Sequence, residues 1–267
     1  MLAVGLGHTL HHVLTPMRDA RGIVRALLAN FVLVPLYTFA LLQVLPLDRS
    51  YATGLMLIAT AAGAPFLLKL TMAAHGNVPL AASLLMLLIP VTIIYMPVVV
   101  PLIVPGSTVG PVDIALPLVL TMLLPMAVGL LTRARLRPVA ERLRPWMNRL
   151  STIALLTIIL STVAANLGAF VRLAREGTLL VPALVIVGAF LIGFVLGREY
   201  RGGDVVLGLG TGQRNIAAAM VVATQGLEDA NTVLMVVFAS VVDLAVLFPI
   251  AWGLKRRAQR FENMVRV

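Results

Sequence analysis

Apolar residues fall along this chain in long runs separated by short polar clusters. Runs at 22–45, 51–75, 78–104, 114–131, 150–171, 179–196, 204–225 and 232–254 each approach or exceed the ~20 apolar residues that a bilayer-crossing helix needs. A shorter run, 2–16, precedes them. In lipid, only helices and closed barrels satisfy every backbone group. These runs lack the apolar/polar alternation of a barrel strand. The pattern therefore predicts an all-α polytopic membrane protein of about nine transmembrane helices.

Two runs are interrupted. Gly63, Ala64 and Pro65 cut the one at 51–75. The one at 204–225 carries Gly208, Gly210 and Gly212, and each glycine weakens a helix by about 1 kcal/mol relative to alanine. Gln213, Arg214 and Asn215 follow near mid-span, where polar groups are costly in lipid. Gly63, Pro65, Gly210 and Gly212 are thus the predicted helix breaks. The runs from 22 to 104 and those from 179 to 254 show one order: a plain helix, a broken helix with polar content, and a long plain helix. The first trio starts in the cytoplasm and the second outside, so the two are expected to be inverted repeats whose broken helices cross near the midplane.

Composition agrees. Of 267 residues, 60% are apolar and 12% charged, against about 25% charged in a soluble domain. No cysteine is present, so no disulfide is expected. The formal charge of +10 would suit nucleic acid, but its placement argues otherwise. If the arginine-rich stretch 133–149 is cytoplasmic, alternation puts sixteen of the 21 Lys and Arg inside, and only Arg49, Arg172 and Arg175 outside. That is the positive-inside asymmetry. It predicts a multi-pass protein of the cell inner membrane with a cytoplasmic C-terminus, the bilayer as partner and no nucleic acid. The expected units are a helix at 1–17, a first repeat at 22–105, helices at 112–172 with the basic connector 133–149, a second repeat at 178–256, and a tail at 257–267. The N-terminus lacks the basic region of a signal peptide. With no nucleophile elbow, phosphate loop or zinc motif, an enzyme is not expected.

Two stretches resemble the bile acid:sodium symporter family: Gly212-Gln213-Arg214-Asn215 before alanine-rich sequence, and Ala73-Ala74-His75-Gly76-Asn77-Val78-Pro79-Leu80 before a long apolar helix. The resemblance runs through nearly the whole chain. It implies ten helices, a core domain with two crossing broken helices, a separate panel, and sodium-driven uptake of organic anions. The first family helix has no counterpart here, which leaves nine spans and an extracytoplasmic N-terminus, or an incomplete gene model. The departures are specific. Matching Gly76-Asn77 puts Leu67 and Leu68 where the resemblance implies a sodium-binding Ser and Asn. Matching Asn215 puts Gly210 at the family's Glu and Arg214 at its Gln. A hard cation needs several oxygens, and two leucines and an arginine do not supply them. Lys69 and Arg214 are expected to stand as fixed cations at the crossover, stabilising it or binding an anionic substrate directly.

The candidate site is therefore Lys69, Thr71, Thr211, Gln213, Arg214 and Asn215, with Asp243, the mid-span acid, as counter-charge to Arg214 or Lys69. Lys69 lies near the cytoplasmic end of its span, and its long stem also permits snorkelling to the interface. His75 reads as a solvated cap at the cytoplasmic boundary. His8, His11 and His12 have helical spacing but no carboxylate or cysteine beside them, so no metal is expected. Asn166 and Gln43 read as interhelical hydrogen-bonding groups. The leading expectation is a secondary transporter of a small organic anion, without cofactor and not coupled to sodium. Three others stand beside it: a sodium-coupled symporter using backbone carbonyls, a proton-coupled exporter or antiporter, and a non-transporting membrane protein. No oligomeric state is assigned.

Overall fold

The computed structural model describes residues 1–7, 20–104, 110–199, 202–227 and 229–265. Every regular element among them is helical. In order they are α1 (Leu2–Gly7), α2 (Ala20–Val44), α3 (Arg49–Thr60), α4 (Leu67–Ala73), α5 (Val78–Ile103) and α6 (Pro111–Arg135). Then come α7 (Arg137–Ala165), α8 (Leu167–Arg175), α9 (Leu180–Gly197), α10 (Gly203–Gly212), α11 (Ile216–Val222) and α12 (Ala230–Val265). His8, His11, His12, Arg18 and Arg201 lie outside the described residues.

Among the described residues, six stretches are long and apolar enough to cross a membrane: α2, α5, α6, α9, the run Gly203–Gln225, and Ala230–Arg257 within α12. The run at 51–75 is divided into α3 and α4, neither of which has the length of a span by itself. The run at 150–171 is split at Asn166, where α7 ends and α8 begins. Asn166 donates to the Thr162 carbonyl one turn back rather than to a neighbouring helix. Gln43 is exposed.

Proline sets the shape of several helices. Pro35 lacks an N–H, so α2 cannot close its usual ladder there. The chain instead makes a π turn at Ala29–Leu33, in which the Val34 N–H bonds to Ala29 one residue further back than in an α-helix. That shift releases the carbonyls of Asn30 and Phe31. The Tyr95 hydroxyl takes up Phe31 at 2.6 Å; the use of Asn30 is described below. α5 carries Pro90, Pro97 and Pro101 in its interior, which packed membrane helices tolerate when neighbours satisfy the freed groups.

The two broken runs meet as a cross. α4 packs against α10, and α11 packs against α3, so each half-helix lies against the opposite half of the other run. α12 touches all four. Buried apolar side chains form two main clusters. One gathers α3, α11 and the first part of α12, with Met96, Ile114 and Met122 from α5 and α6. The other gathers α2, α4, α9, α10 and the later part of α12. Buried polar residues (Asn30, Thr60, Thr92, Thr211, Gln213, Arg214, Asn215 and Asp243) mark the region where the breaks meet. α1 and α6 approach backbone to backbone through Gly5 and Gly129. A methyl on Gly5 would come within 2.3 Å of the Met126 carbonyl oxygen. In the connector, Glu141 accepts from Arg133 and Arg137 at 3.0 Å each. Its carboxyl is held below its ordinary range by the Arg137 bond first and the Arg133 bond second.

Candidate functional site

The first interruption covers 61–66. Gly63 adopts φ +80°, a left-handed conformation that costs other residues about 1–2 kcal/mol, and Pro65 follows it with no N–H to give. The second interruption covers Gln213 to Asn215. It comes later than the glycines predicted. Gly210 lies inside α10 and Gly212 is its last helical residue. Gly210 serves packing: a methyl there would come within 2.6 Å of Leu84 Cδ2 and 3.2 Å of Leu67 Cδ2. The position that the resemblance assigns to an acid is thus a dry contact beneath two leucines.

Asn215 ties the two breaks together. Its N–H donates to the Ala61 carbonyl at 2.8 Å, and its Nδ2 donates to Gly63 at 2.9 Å and to Ala62 at 3.4 Å. Its Oδ1 accepts from the Ala218 N–H and caps α11. Thr92 of α5 holds the other side of this unwound segment, donating to the Ala62 carbonyl at 2.9 Å and accepting from its N–H. Asn77 plays the corresponding capping part for α5, through Leu80.

Arg214 is 1% exposed, yet every one of its N–H groups is satisfied. Nε donates to Ile58 O at 3.1 Å. Nη1 donates to Asn30 Oδ1 at 2.9 Å and Thr211 O at 3.1 Å. Nη2 donates to Ala59 O at 2.6 Å and Asn30 O at 3.4 Å. A guanidinium has five N–H donors, and all five go to protein oxygens. The acceptors come from the C-terminal ends of α3 and α10 and from the π turn of α2. Helix C-termini carry unpaired carbonyls and partial negative charge, so this cage solvates a buried cation without a carboxylate and leaves its net charge in place.

This geometry corrects several sequence expectations. Arg214 keeps no donor for a substrate, so here it supports the crossover rather than lining an open site. Asp243 makes no direct ion pair with Arg214 among the described residues, although the two charges lie within electrostatic reach: its Oδ2 accepts from Gln213 Nε2 at 2.5 Å. Lys69 is not at the crossover. It is exposed on α4, 5.4 Å above the Phe66 ring, and its Nζ donates to Thr152 on α7. Thr71 is buried beside Gly76 and Val205, toward the opposite end of α10 from Gln213. Thr211 lies where the two breaks meet: its carbonyl accepts from Arg214 and its Oγ1 accepts from Asn30 Nδ2 at 3.1 Å. His75 is exposed, with φ 56°. It closes α4 in a Schellman turn, with Gly76 N–H on Thr71 O and its own N–H on Met72 O.

Asn30 was missed in the sequence, although a lone amide in an apolar run five residues before a proline is a usable signal.

The model of the sodium bile acid symporter family matches residues 1–173. The chain belongs to that family. Over 212 residues it is 29% identical to a rice protein (Oryza sativa subsp. japonica) named probable sodium/metabolite cotransporter BASS2, chloroplastic. The match takes in 76% of this chain and 49% of the relative, so the chain spans about half the length of that curated protein. Family membership and the six apolar spans make this a multi-pass membrane protein of a transporter family. The family match ends before α9, and the Arg214 break lies beyond it.

Proposed function

We propose that the protein is a secondary transporter that moves a small organic anion by alternating access, with a fixed cation at the crossover instead of bound sodium. The observation that carries this reading is the five-oxygen cage around Arg214. In transporters with broken helices, unwound carbonyls and half-helix C-termini are the usual ligands of a coupling cation. Here such groups from α3 and α10 are spent on the protein's own guanidinium. The dry Gly210–Leu67–Leu84 contact supports the same view, since it leaves no oxygen where the resemblance expects acid and hydroxyl ligands. Sodium does not fit the residues present at this place.

In this reading the nine spans form two inverted core halves, 22–105 and 178–256, beside a panel built from 1–17 and 112–172. The protein sits in the inner membrane with the connector and C-terminus in the cytoplasm. The rice relative's name points to a metabolite-sized solute, and the uncompensated charge of Arg214 favours an anion. The test is uptake into proteoliposomes of a panel of monocarboxylates, dicarboxylates and sulfate conjugates, with sodium or choline outside. Uptake of at least one anion that is equal in both salts is the expected result. Uptake abolished by choline would overturn it and favour the second reading, a sodium-coupled symporter, which the family and the relative's name support.

A further inference from the structure

Next to the saturated guanidinium lies a polar pair that is only half satisfied. Gln213 Nε2 donates to Asp243 Oδ2 at 2.5 Å. The remaining oxygen of each group, Gln213 Oε1 and Asp243 Oδ1, is buried without a hydrogen-bond partner among the described residues. Both residues are 2% exposed. Two orphan acceptors in adjoining groups, in an otherwise well-bonded layer, call for one missing donor.

A carboxylate only accepts, whereas a carboxylic acid brings an O–H donor as well. A neutral acid facing a primary amide closes a two-bond ring: amide N–H to one acid oxygen, acid O–H to the amide oxygen. The Gln213–Asp243 bond is the first half of that ring, and the two orphans are the atoms of the second half. We propose that Asp243 is a proton-binding site, its carboxylic acid closed on Gln213 in this conformation. The proton comes from water, sits on Asp243 Oδ1 and is donated to Gln213 Oε1. It returns to water only when the halves of the broken helices part.

The surroundings bear this out. Of the elements packed on α12, α9 and α11 carry no ionisable residue, and Lys69 of α4 is turned to Thr152. Arg49 and Tyr51 stand at the far end of α3 from the break, and Asp204 at the far end of α10. The charged residues of α7 lie in its first half, at 137–149, and Lys255 is three turns along α12. Arg214 is the charge that faces Asp243, and its donors are already taken by neutral oxygens. With Asp243 protonated, the Arg214 charge has no acid beside it and the crossover favours an anion. Once Asp243 ionises, that preference is cancelled. Proton and anion binding are then linked, each favouring the other. This coupling rests on the anion-transport reading above; the proton site itself does not.

The test is infrared difference spectroscopy of the purified full-length protein in nanodiscs across neutral pH. A protonated-carboxyl carbonyl band should be present in the parent at neutral pH, absent in Asp243→Asn, and displaced in Gln213→Leu, which removes the amide partner. If Asp243→Asn does not fold, the parent with isotope-labelled aspartate gives the same answer through the isotope displacement of the band. No protonated aspartate band at neutral pH would overturn the proposal. Since this readout involves no transport, that failure would leave the anion-carrier reading standing, while sodium-dependent uptake would sink that reading and leave the proton site.

Discussion

Replacing Arg214 with glutamine removes the guanidinium but keeps a polar side chain at the break. The parent residue satisfies five oxygens, those of Ile58, Ala59, Thr211 and the two of Asn30. The Ile58 carbonyl also accepts from the Ala61 N–H, and the glutamine amide carries two N–H donors, so at least two of the other four oxygens lose their partner. At about 1 kcal/mol for each buried acceptor, the low end of the usual range, the loss is about 2 kcal/mol. For a chain of this size that is a fall of roughly 4–8 °C in melting temperature. Relief of the desolvation of a buried guanidinium works the other way, so the smaller figure is the safer expectation. The emptied cage should then accept a mobile cation. Sodium at a hundred times its dissociation constant would return about 2.7 kcal/mol. The assay is a thermal melt of detergent-purified Arg214→Gln and parent protein in sodium and in choline. A variant that melts lower and recovers selectively in sodium fits the account. A variant as stable as the parent, or one that melts lower and responds equally to both salts, would refute it.

Asn30→Leu removes a side chain that accepts from Arg214 and donates to Thr211 and Ala26; losing the bond to the charged group alone should cost about 1.5–3 kcal/mol in a chemical or thermal melt. His75→Gly should stabilise the protein by about 1 kcal/mol, since glycine takes the left-handed φ of 56° without the Cβ penalty. Lys69→Ala, on an exposed face of α4, should shift stability by no more than about 0.5 kcal/mol. It should also leave any sodium response unchanged; a large loss would return Lys69 to the crossover.

The sequence made some of this architecture legible and hid other parts, for physical reasons. Long apolar runs and arginine placement are averages over many residues, and they sufficed for an all-helical membrane protein. Gly63 and Pro65 marked their break because each changes the backbone where it stands. Gly210 and Gly212 misled because glycine has two uses: here it admits Leu84, Leu67 and Phe190 against the helix, and the chain unwinds only at Gln213. Lys69 was misplaced because matching by sequence order cannot tell which face of a seven-residue helix looks inward. The pairing of Asp243 followed charge, whereas the fold satisfies Arg214 with neutral carbonyls and leaves Asp243 to an amide. No pattern of side chains announces a cage built mainly from main-chain oxygens. Asn30 alone left a sequence signal, a lone amide five residues before a proline, and that signal was missed.

The measurement that bears most directly on the central claim is the melting temperature of the parent protein in increasing sodium, at constant ionic strength with choline as the balance. A cation that binds only the folded state raises it by mass action. With the cage already filled by Arg214, the curve should stay flat. A saturable rise specific to sodium would show that the protein still binds the ion, and would contradict the account of Arg214 as its replacement.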